Sequence, residues 1–494
     1  MSGVEQLKGR MYEINAVGSA LAIMGWDQQT NMPAGGAEAR AEQVGILSTM
    51  YHEMLVSDET KTALGKAEAE ATGEDDKAMA RVVRRELDLA TKLPSELVGR
   101  KALLATQAHE IWMKARKAND YAMFRPHLGE LVEICREEAQ HLGYKDHPYD
   151  ALTDQYEEGA TAAGWQAMFD GVRQPLVNLI SEIQEAGPIE NGFLTGTWPD
   201  QAQAEFTWDV IRKLGFREEN GRQDAAPHPF CTNFSVNDVR LTNRFNEVLT
   251  SSLYSGLHEA GHGLYEQNSP VEWDRTSLAG GVSLGVHESQ SRTWENIIGR
   301  SRSFWEWCYG PIRSAFPALP DVGVDAMFKA NCTVEPSLIR VEADEVTYNM
   351  HIMVRFELEC DMVAGKLDVK DLPEAWNEKY RQYLGIVPDT DSMGCMQDVH
   401  WSGGSIGYFP TYSMGNVLSY QIWACLQRDL GDTDALIARG DFGPILDWFV
   451  EEVYRHGSKY KPTELIQQVT GKPLGPEDYL AGITSKYRGV YGLS

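Results

Sequence analysis

Two imidazoles four residues apart, with a carboxylate directly after the first, are the groups in this chain best suited to chemistry: His258-Glu259-Ala260-Gly261-His262. On a helix of about 3.6 residues per turn, His258 and His262 stand one above the other on the same face, so both rings can reach one metal ion. Glu259, turned about 100° from His258, can hold a water beside the metal without being a ligand. Two histidines do not close such a site, because catalytic zinc sites take three protein ligands and keep a position for water. The third is expected at Glu288, in the cluster His287-Glu288-Ser289-Gln290, with Gly280-Gly281 between the two segments able to reverse the chain. Glu266, Glu272 and Glu295 compete, but Glu266 lies a full turn beyond His262 along the same helix axis. A His-His-Glu set suits zinc and lowers the pKa of a water to about 7. With Glu259 to accept a proton and return it to a departing amine, the chemistry is hydrolysis of a peptide bond. The oxyanion needs donors, and the long loop around 386–410 supplies His400, Tyr408 and Tyr412.

The elements that must position these groups are mostly helical. Residues 252–267 have helical spacing, with Leu253, Leu257, Ala260 and Leu264 as an apolar stripe; Gly261 costs about 1 kcal/mol there and leaves the metal-side surface open to a backbone or a substrate. Residues 1–142 read as successive amphipathic helices broken at Pro33-Gly36, Gly73-Asp75 and Pro94-Ser95, and Trp26 to Pro33 reads as an interhelical turn capped by Asp27 and Asn31. A polar loop is expected over 143–160. Phe230, Phe234, Val236, Val239 and Leu241 alternate with polar residues about Asn237-Asp238, which predicts a β-hairpin just before the histidine helix. Such a small sheet either pairs an extended peptide along its edge or is purely structural. Val346, Met350, Met353, Phe356, Cys360 and Val363 mark a core-facing helical stripe ending at Gly365. A further helix opens at Asp371 to Glu374 and stops at Gly385, and caps at Pro462-Thr463 and Pro476-Glu477 start the last two. With no internal repeat and no low-complexity linker, the expectation is a mostly α single catalytic body, 1–494, with an N-terminal lobe to about 220 and a metal-site lobe over about 221–494.

Composition narrows the partners. The 494 residues are 43% hydrophobic and 24% charged, an ordinary globular balance. A net charge of −27 argues against nucleic acid, whose binding depends on clustered Lys and Arg. No apolar run is long enough for a membrane span, and the N-terminus lacks a basic region followed by an apolar stretch, so a soluble, cytoplasmic protein is expected. Seven scattered cysteines fit a reducing compartment better than a disulfide framework.

Read in order, the chain carries His228-Pro229-Phe230, Asp238-Val239-Arg240-Leu241-Thr242, the HExxH segment, His287-Glu288-Ser289-Gln290, Ile339-Arg340-Val341-Glu342-Ala343-Asp344, and Gly394-Cys395-Met396-Gln397-Asp398-Val399-His400-Trp401. In these motifs, and in WDQQTNMPAGGAEARAEQ and HPYDAL earlier, it resembles the thermostable carboxypeptidase family over essentially its whole length. The resemblance implies a saddle-like helical fold related to neurolysin-type peptidases, a deep cleft, a homodimer, and removal of single residues from peptide C-termini with broad specificity. It also implies His258, His262 and Glu288 as ligands of zinc, replaceable by cobalt, and Glu259 as the base. An exopeptidase must recognise a free carboxylate, for which an Arg fork is the natural partner. Arg340 is the first choice and Arg240 the second; each has the alternative of a structural ion pair, Glu342 and Asp344 lying near Arg340. His228 and His287 fit supporting roles near the metal or purely structural ones, and Asp398 fits orientation of His400. The rivals are an oligoendopeptidase with the same metal site and a catalytically silent peptide-binding protein.

Overall fold

Glycine and proline put the three N-terminal breaks where they stand. In the computed structural model, which describes residues 2–493, helices run Gly3–Thr30, Ala37–Val56, Asp58–Glu70, Glu74–Lys92, Ser95–Ala118 and Tyr121–Leu142. Two further breaks carry neither residue. Ser57 ends one helix and caps the next, its Oγ accepting from the Thr60 N–H at 3.2 Å. Asn119 turns left-handed at φ 51°, and Asp120 then caps the following helix. Short polar side chains that bond the backbone locally end helices as effectively as glycine does. Asp27 lies inside the first helix and accepts from Arg40 at 2.6 Å, so the turn begins later, at Asn31.

The segment expected as a polar loop contains a short helix, Pro148–Thr153. His147 caps it: its Nδ1 accepts from the Tyr149 N–H at 3.1 Å while Asp150 accepts from the His147 N–H at 3.1 Å. The geometry is that of a capping box with an imidazole in the place of a hydroxyl.

The hairpin forms, and it acquires a third strand. β2 (Cys231–Ser235) pairs antiparallel with β3 (Asp238–Asn243), in the register Cys231 opposite Leu241 and Asn233 opposite Val239. β1 (Gly221–Ala225) pairs with β3 in parallel, Gly221 opposite Val239, giving the order β1-β3-β2. The sequence of β1, GRQDA, has no β-branched or aromatic residue, so its strand state comes from pairing and not from propensity. Along the β2 edge lies the helix Gly3–Thr30, with Ser19 Oγ donating to the Phe234 carbonyl at 3.0 Å. Protein backbone and side chains therefore meet that edge.

The chain packs into two compact units. One is built from the segments up to Thr91, Glu190–Asn331 and Ser419–Leu474. It holds the sheet and the histidine helix, Leu249–Gln267, which lies against β3: a Cβ at Gly263 would come within 2.9 Å of Leu241 Cδ2. Tyr265, Tyr454 and Phe449 stack in series in its core. The other unit is built from Lys92–Ile189, Cys332–Leu418 and the segment from Gly475 on. Its central element is the helix Tyr348–Val363, followed by the left-handed Gly365 at φ 73°. That helix is buried on more than its apolar stripe, for Asn349, His351, Arg355 and Glu359 are as fully enclosed as Met350 and Met353. Segment 386–410 is irregular apart from one short turn of helix, His400–Gly403, before the helix Pro410–Leu430. None of the seven cysteines forms a disulfide, and among the described residues no helix is long and apolar enough to cross a membrane.

Candidate metal centre

The histidine helix and the helix Leu284–Arg292 meet at Gly261. A Cβ there would stand 2.5 Å from Ser291 Cα and 2.7 Å from the Gln290 carbonyl oxygen, so only glycine lets the second backbone come this close. The approach delivers Glu288. Its Oε2 lies 3.5 Å from His258 Nε2 and 3.5 Å from His262 Nε2, and the three atoms fall within 4.8 Å of one another. Two ligands on one zinc, each about 2.1 Å from it in tetrahedral arrangement, stand roughly 3.4 Å apart. The donor set fits a divalent ion in both chemistry and spacing.

The outward nitrogens of both rings are engaged elsewhere, which leaves each Nε2 to the centre. His258 Nδ1 is 2.9 Å from Glu295 Oε2, and Glu295 also faces Arg292 and Arg300. A π-helical turn, Thr293–Gly299, sets the angle at which Glu295 arrives. His262 Nδ1 is 2.7 Å from His287 Nδ1, and His287 Nε2 is 2.7 Å from Glu266 Oε1. With Glu266 accepting from His287 Nε2–H, His287 Nδ1 is bare and accepts from His262 Nδ1–H, so His262 Nε2 carries the lone pair. Asn233 from β2 and the Gly281 N–H hold Glu266 in turn, at 2.6 and 3.2 Å. Of the acids that compete with Glu288 in the sequence, Glu266 and Glu295 thus serve the rings from outside, and Glu272 is exposed in the short helical turn Val271–Trp273.

Electrostatics follow from burial and pairing. Burial works against the Glu288 carboxylate, yet Arg292, whose Nε donates at 2.7 Å, and the two histidines hold its pKa well below the usual range. Burial brings His262 down to about 4; at His258 the same burial is outweighed by Glu288 and Glu295, and its pKa is raised. Glu259, also buried, is pushed up to about 7 by desolvation.

Arg240 lies in β3 with its Nε and Nη2 donating to Asp238 at 2.9 and 3.0 Å, and its guanidinium sits between the rings of Trp26 and Phe234. Thr242 in the same motif bonds the Phe230 backbone on both sides, tying the start of β2 to β3. His228 is exposed in the segment between β1 and β2.

In the other unit, Arg340, His400, Tyr408 and Tyr412 come together. His400 packs on Phe409 and Tyr408, and Tyr412 meets Tyr408 edge to face with ring centroids 5.1 Å apart. Arg340 lies over the Tyr412 ring at 5.2 Å. Its ion pair is with Asp398, through Nε at 3.1 Å and Nη2 at 2.8 Å, while Nη1 donates to the Tyr348 hydroxyl at 2.9 Å. Asp344, one of the partners suggested by the sequence, instead accepts from the Val346 and Thr347 backbone. Asp398 does not orient His400: the His400 Nδ1 is 3.9 Å away, beyond hydrogen-bond distance, because the carboxylate is occupied by Arg340 and Arg355. Burial keeps His400 down at about 4 and holds the Tyr412 hydroxyl well above 10.

Beneath this group lie two charged residues that the apolar stripe of the helix Tyr348–Val363 gives no hint of. Arg355 Nε donates to Asp398 at 2.6 Å and Nη2 to Gln397 Oε1 at 2.8 Å. One turn on, Glu359 accepts from Trp401 Nε1 at 2.7 Å, Gly407 N at 3.1 Å and the Tyr149 hydroxyl at 2.8 Å. The signal that finds them is a cation and an anion four residues apart inside an apolar helix, since buried charge requires partners.

Over residues 6–487 the chain matches the family described as carboxypeptidase Taq (M32) metallopeptidase. It belongs to that family. It is therefore a metallocarboxypeptidase, an enzyme acting on peptides with the help of a divalent metal. It is 36% identical over 485 residues to Carboxypeptidase 1 of Bacillus subtilis, covering 97% of each chain. To Thermostable carboxypeptidase 1 of Thermus thermophilus it is 39% identical over 486 residues, 95% of each. The crystal structure of the M32 carboxypeptidase from Deinococcus radiodurans matches with a TM-score of 0.97 at 40% identity and 99% coverage of both chains. The expected fold class, mostly α with a small sheet, is borne out.

Proposed function

We propose that this metallocarboxypeptidase is a zinc enzyme that releases single residues from peptide C-termini with broad specificity, using His258, His262 and Glu288 as ligands and Glu259 as the base. The observation that carries the reading is the convergence of two Nε2 atoms and one carboxylate oxygen at 3.5 Å, with the remaining ring nitrogens bound elsewhere. Bound there, Zn²⁺, or Co²⁺ in its place, supplies Lewis-acid polarisation of the scissile carbonyl and acidifies a water to about pKa 7. Glu259 follows His258 directly and has a pKa of about 7, matched to taking a proton from the attacking water and giving it to the departing amine.

His400, Tyr412 and Tyr408 are the proposed donors to the developing oxyanion. A neutral imidazole and a protonated phenol each offer a hydrogen at working pH, and burial favours both states at His400 and Tyr412. For the substrate's terminal carboxylate Arg340 remains the first choice: Asp398 and Tyr348 take three of its five N–H groups, which leaves two. Arg240, its Nε and Nη2 already given to Asp238, is the second. The family resemblance also supports a homodimer, and seven cysteines without a disulfide among them support a cytoplasmic location.

A peptide and its C-terminally amidated form test the reading. The free-carboxylate form should lose one residue at a time, and undiminished internal cleavage of the amide would sink it. Glu259→Gln should lower turnover by roughly 10²–10⁴-fold while elemental analysis still finds the metal. Unchanged turnover refutes the base.

A further inference from the structure

Arg355 is fully enclosed at the middle of the helix Tyr348–Val363, and two of the three nitrogens of its fork are spent on the segment Gly394 to Trp401. Nε donates to Asp398 Oδ2 at 2.6 Å, Nη2 to Gln397 Oε1 at 2.8 Å and Nη1 to the His351 carbonyl at 2.7 Å, while the guanidinium lies over the Trp376 ring at 4.7 Å. Asp398 Oδ1 takes Arg340 at 2.8 Å on its other side, and Gln397 Oε1 also accepts the Arg340 backbone N–H at 2.9 Å. Two guanidinium groups thus share one carboxylate.

The neighbours do not cancel the excess. Burial holds the pKa of His351, 3.0 Å from the Tyr380 hydroxyl, well below the usual range, and His400 lies 3.9 Å from Asp398 with its pKa likewise pulled down by burial. Glu359, one turn along the helix, aims its oxygens at Tyr149, Trp401 and Gly407 and forms no ion pair with Arg355. The remaining groups against the cluster are Tyr348, Tyr380, Tyr412 and Gln397.

We propose that Arg355 is a positioning residue for recognition of the substrate's C-terminal carboxylate: by sharing Asp398 it fixes the Arg340 guanidinium and leaves Arg340 with a positive charge that its ion pair does not neutralise. Without Arg355, Asp398 belongs to Arg340 alone, and the pair is neutral toward an incoming anion. A lone carboxylate–guanidinium pair would serve as fold cement; a carboxylate divided between two guanidiniums holds one of them in place and keeps it attractive to a carboxylate. This inference rests on the proposal that Arg340 binds the terminal carboxylate.

The test is steady-state kinetics on a free-carboxylate peptide for the metal-loaded enzyme and its R355M, R355Q, R355K and R340M variants, with the fold checked by circular dichroism. R355M and R355Q should raise KM at least tenfold with kcat within about threefold, and should weaken competitive inhibition by a free amino acid by the same factor. R355K, which keeps the charge, should stay within about threefold of the parent KM. A folded neutral variant whose KM is unchanged, or whose loss falls on kcat alone, overturns the role. If neither neutral variant folds, R355K decides, and a KM rise above tenfold overturns it. R340M separates the two layers: unchanged KM in R340M defeats the underlying reading, whereas a raised KM in R340M with none in R355M defeats only this one.

Discussion

His262 and His287 meet Nδ1 to Nδ1 at 2.7 Å, so one of the two rings must carry the proton between them, and Glu266 on the far side of His287 decides which. The pair fixes His262 with its Nε2 lone pair turned toward Glu288.

His287→Phe removes that acceptor and leaves a buried N–H on His262 without a partner. Zinc affinity, measured by competition with a chromophoric chelator, should fall by roughly 10–100-fold. His287→Gln, which keeps an acceptor oxygen, should lose less. Equal affinity in His287→Phe and the parent would show that the imidazole pair does not orient the ligand.

Gly261→Ala tests the crossing of the two helices. By helix propensity alone the change should stabilise by about 1 kcal/mol. The new methyl would stand 2.5 Å from Ser291 Cα, so the expected result is the opposite: a net loss of roughly 1–3 kcal/mol in chemical denaturation, together with weaker zinc binding as Glu288 is displaced. A gain in stability would mean that the helices separate without cost.

Glu288→Ala removes the only carboxylate among the three converging donors. Metal content after dialysis should drop steeply, and the Arg292 guanidinium, which donates to Glu288 Oε1 at 2.7 Å, loses that partner. A fully metallated variant would assign the third ligand elsewhere.

Glu359 gives the stability of the fold a pH dependence of known sign. Burial raises its folded-state pKa to about 7 against a carboxyl that ionises near 4.5 when unfolded. Between those values the unfolded chain has released a proton that the folded one retains, so this group's contribution to stability falls as pH rises from about 4.5 to 7 and is level above that. Compared with Glu359→Gln, the parent should lose up to roughly 3 kcal/mol across that window in urea titrations. A parallel pH dependence in the two proteins would show that Glu359 is ionised throughout.

The helical body was legible in the sequence because its signals are local. Apolar spacing marked the histidine helix, Gly365 and Gly385 ended their helices, and the alternation about Asn237-Asp238 marked β2 and β3. The misses share a cause. β1 has no strand propensity and exists only because β3 offers a parallel partner. The Pro148–Thr153 helix is capped by an imidazole, which rules written for hydroxyls and carboxylates overlook. On the helix Tyr348–Val363 the apolar stripe hid Arg355 and Glu359, whose partners Asp398, Gly407 and Tyr149 lie far away in sequence.

For the site, the sequence by itself determined the inventory. The four-residue spacing of His258 and His262, with Glu259 between them, needs nothing beyond 3.6 residues per turn to become two rings on one face. Glu288 was a preference among four acids, carried by the Gly280-Gly281 reversal and by the distance of Glu266 along the helix axis. The tertiary structure alone decided what each remaining group does, because hydrogen bonds and ion pairs join segments whose distance in sequence carries no information about distance in space. Packing put Glu295 and Glu266 behind the rings, gave Asp398 to two arginines in place of His400, and tied the loop of His400 to a buried carboxylate.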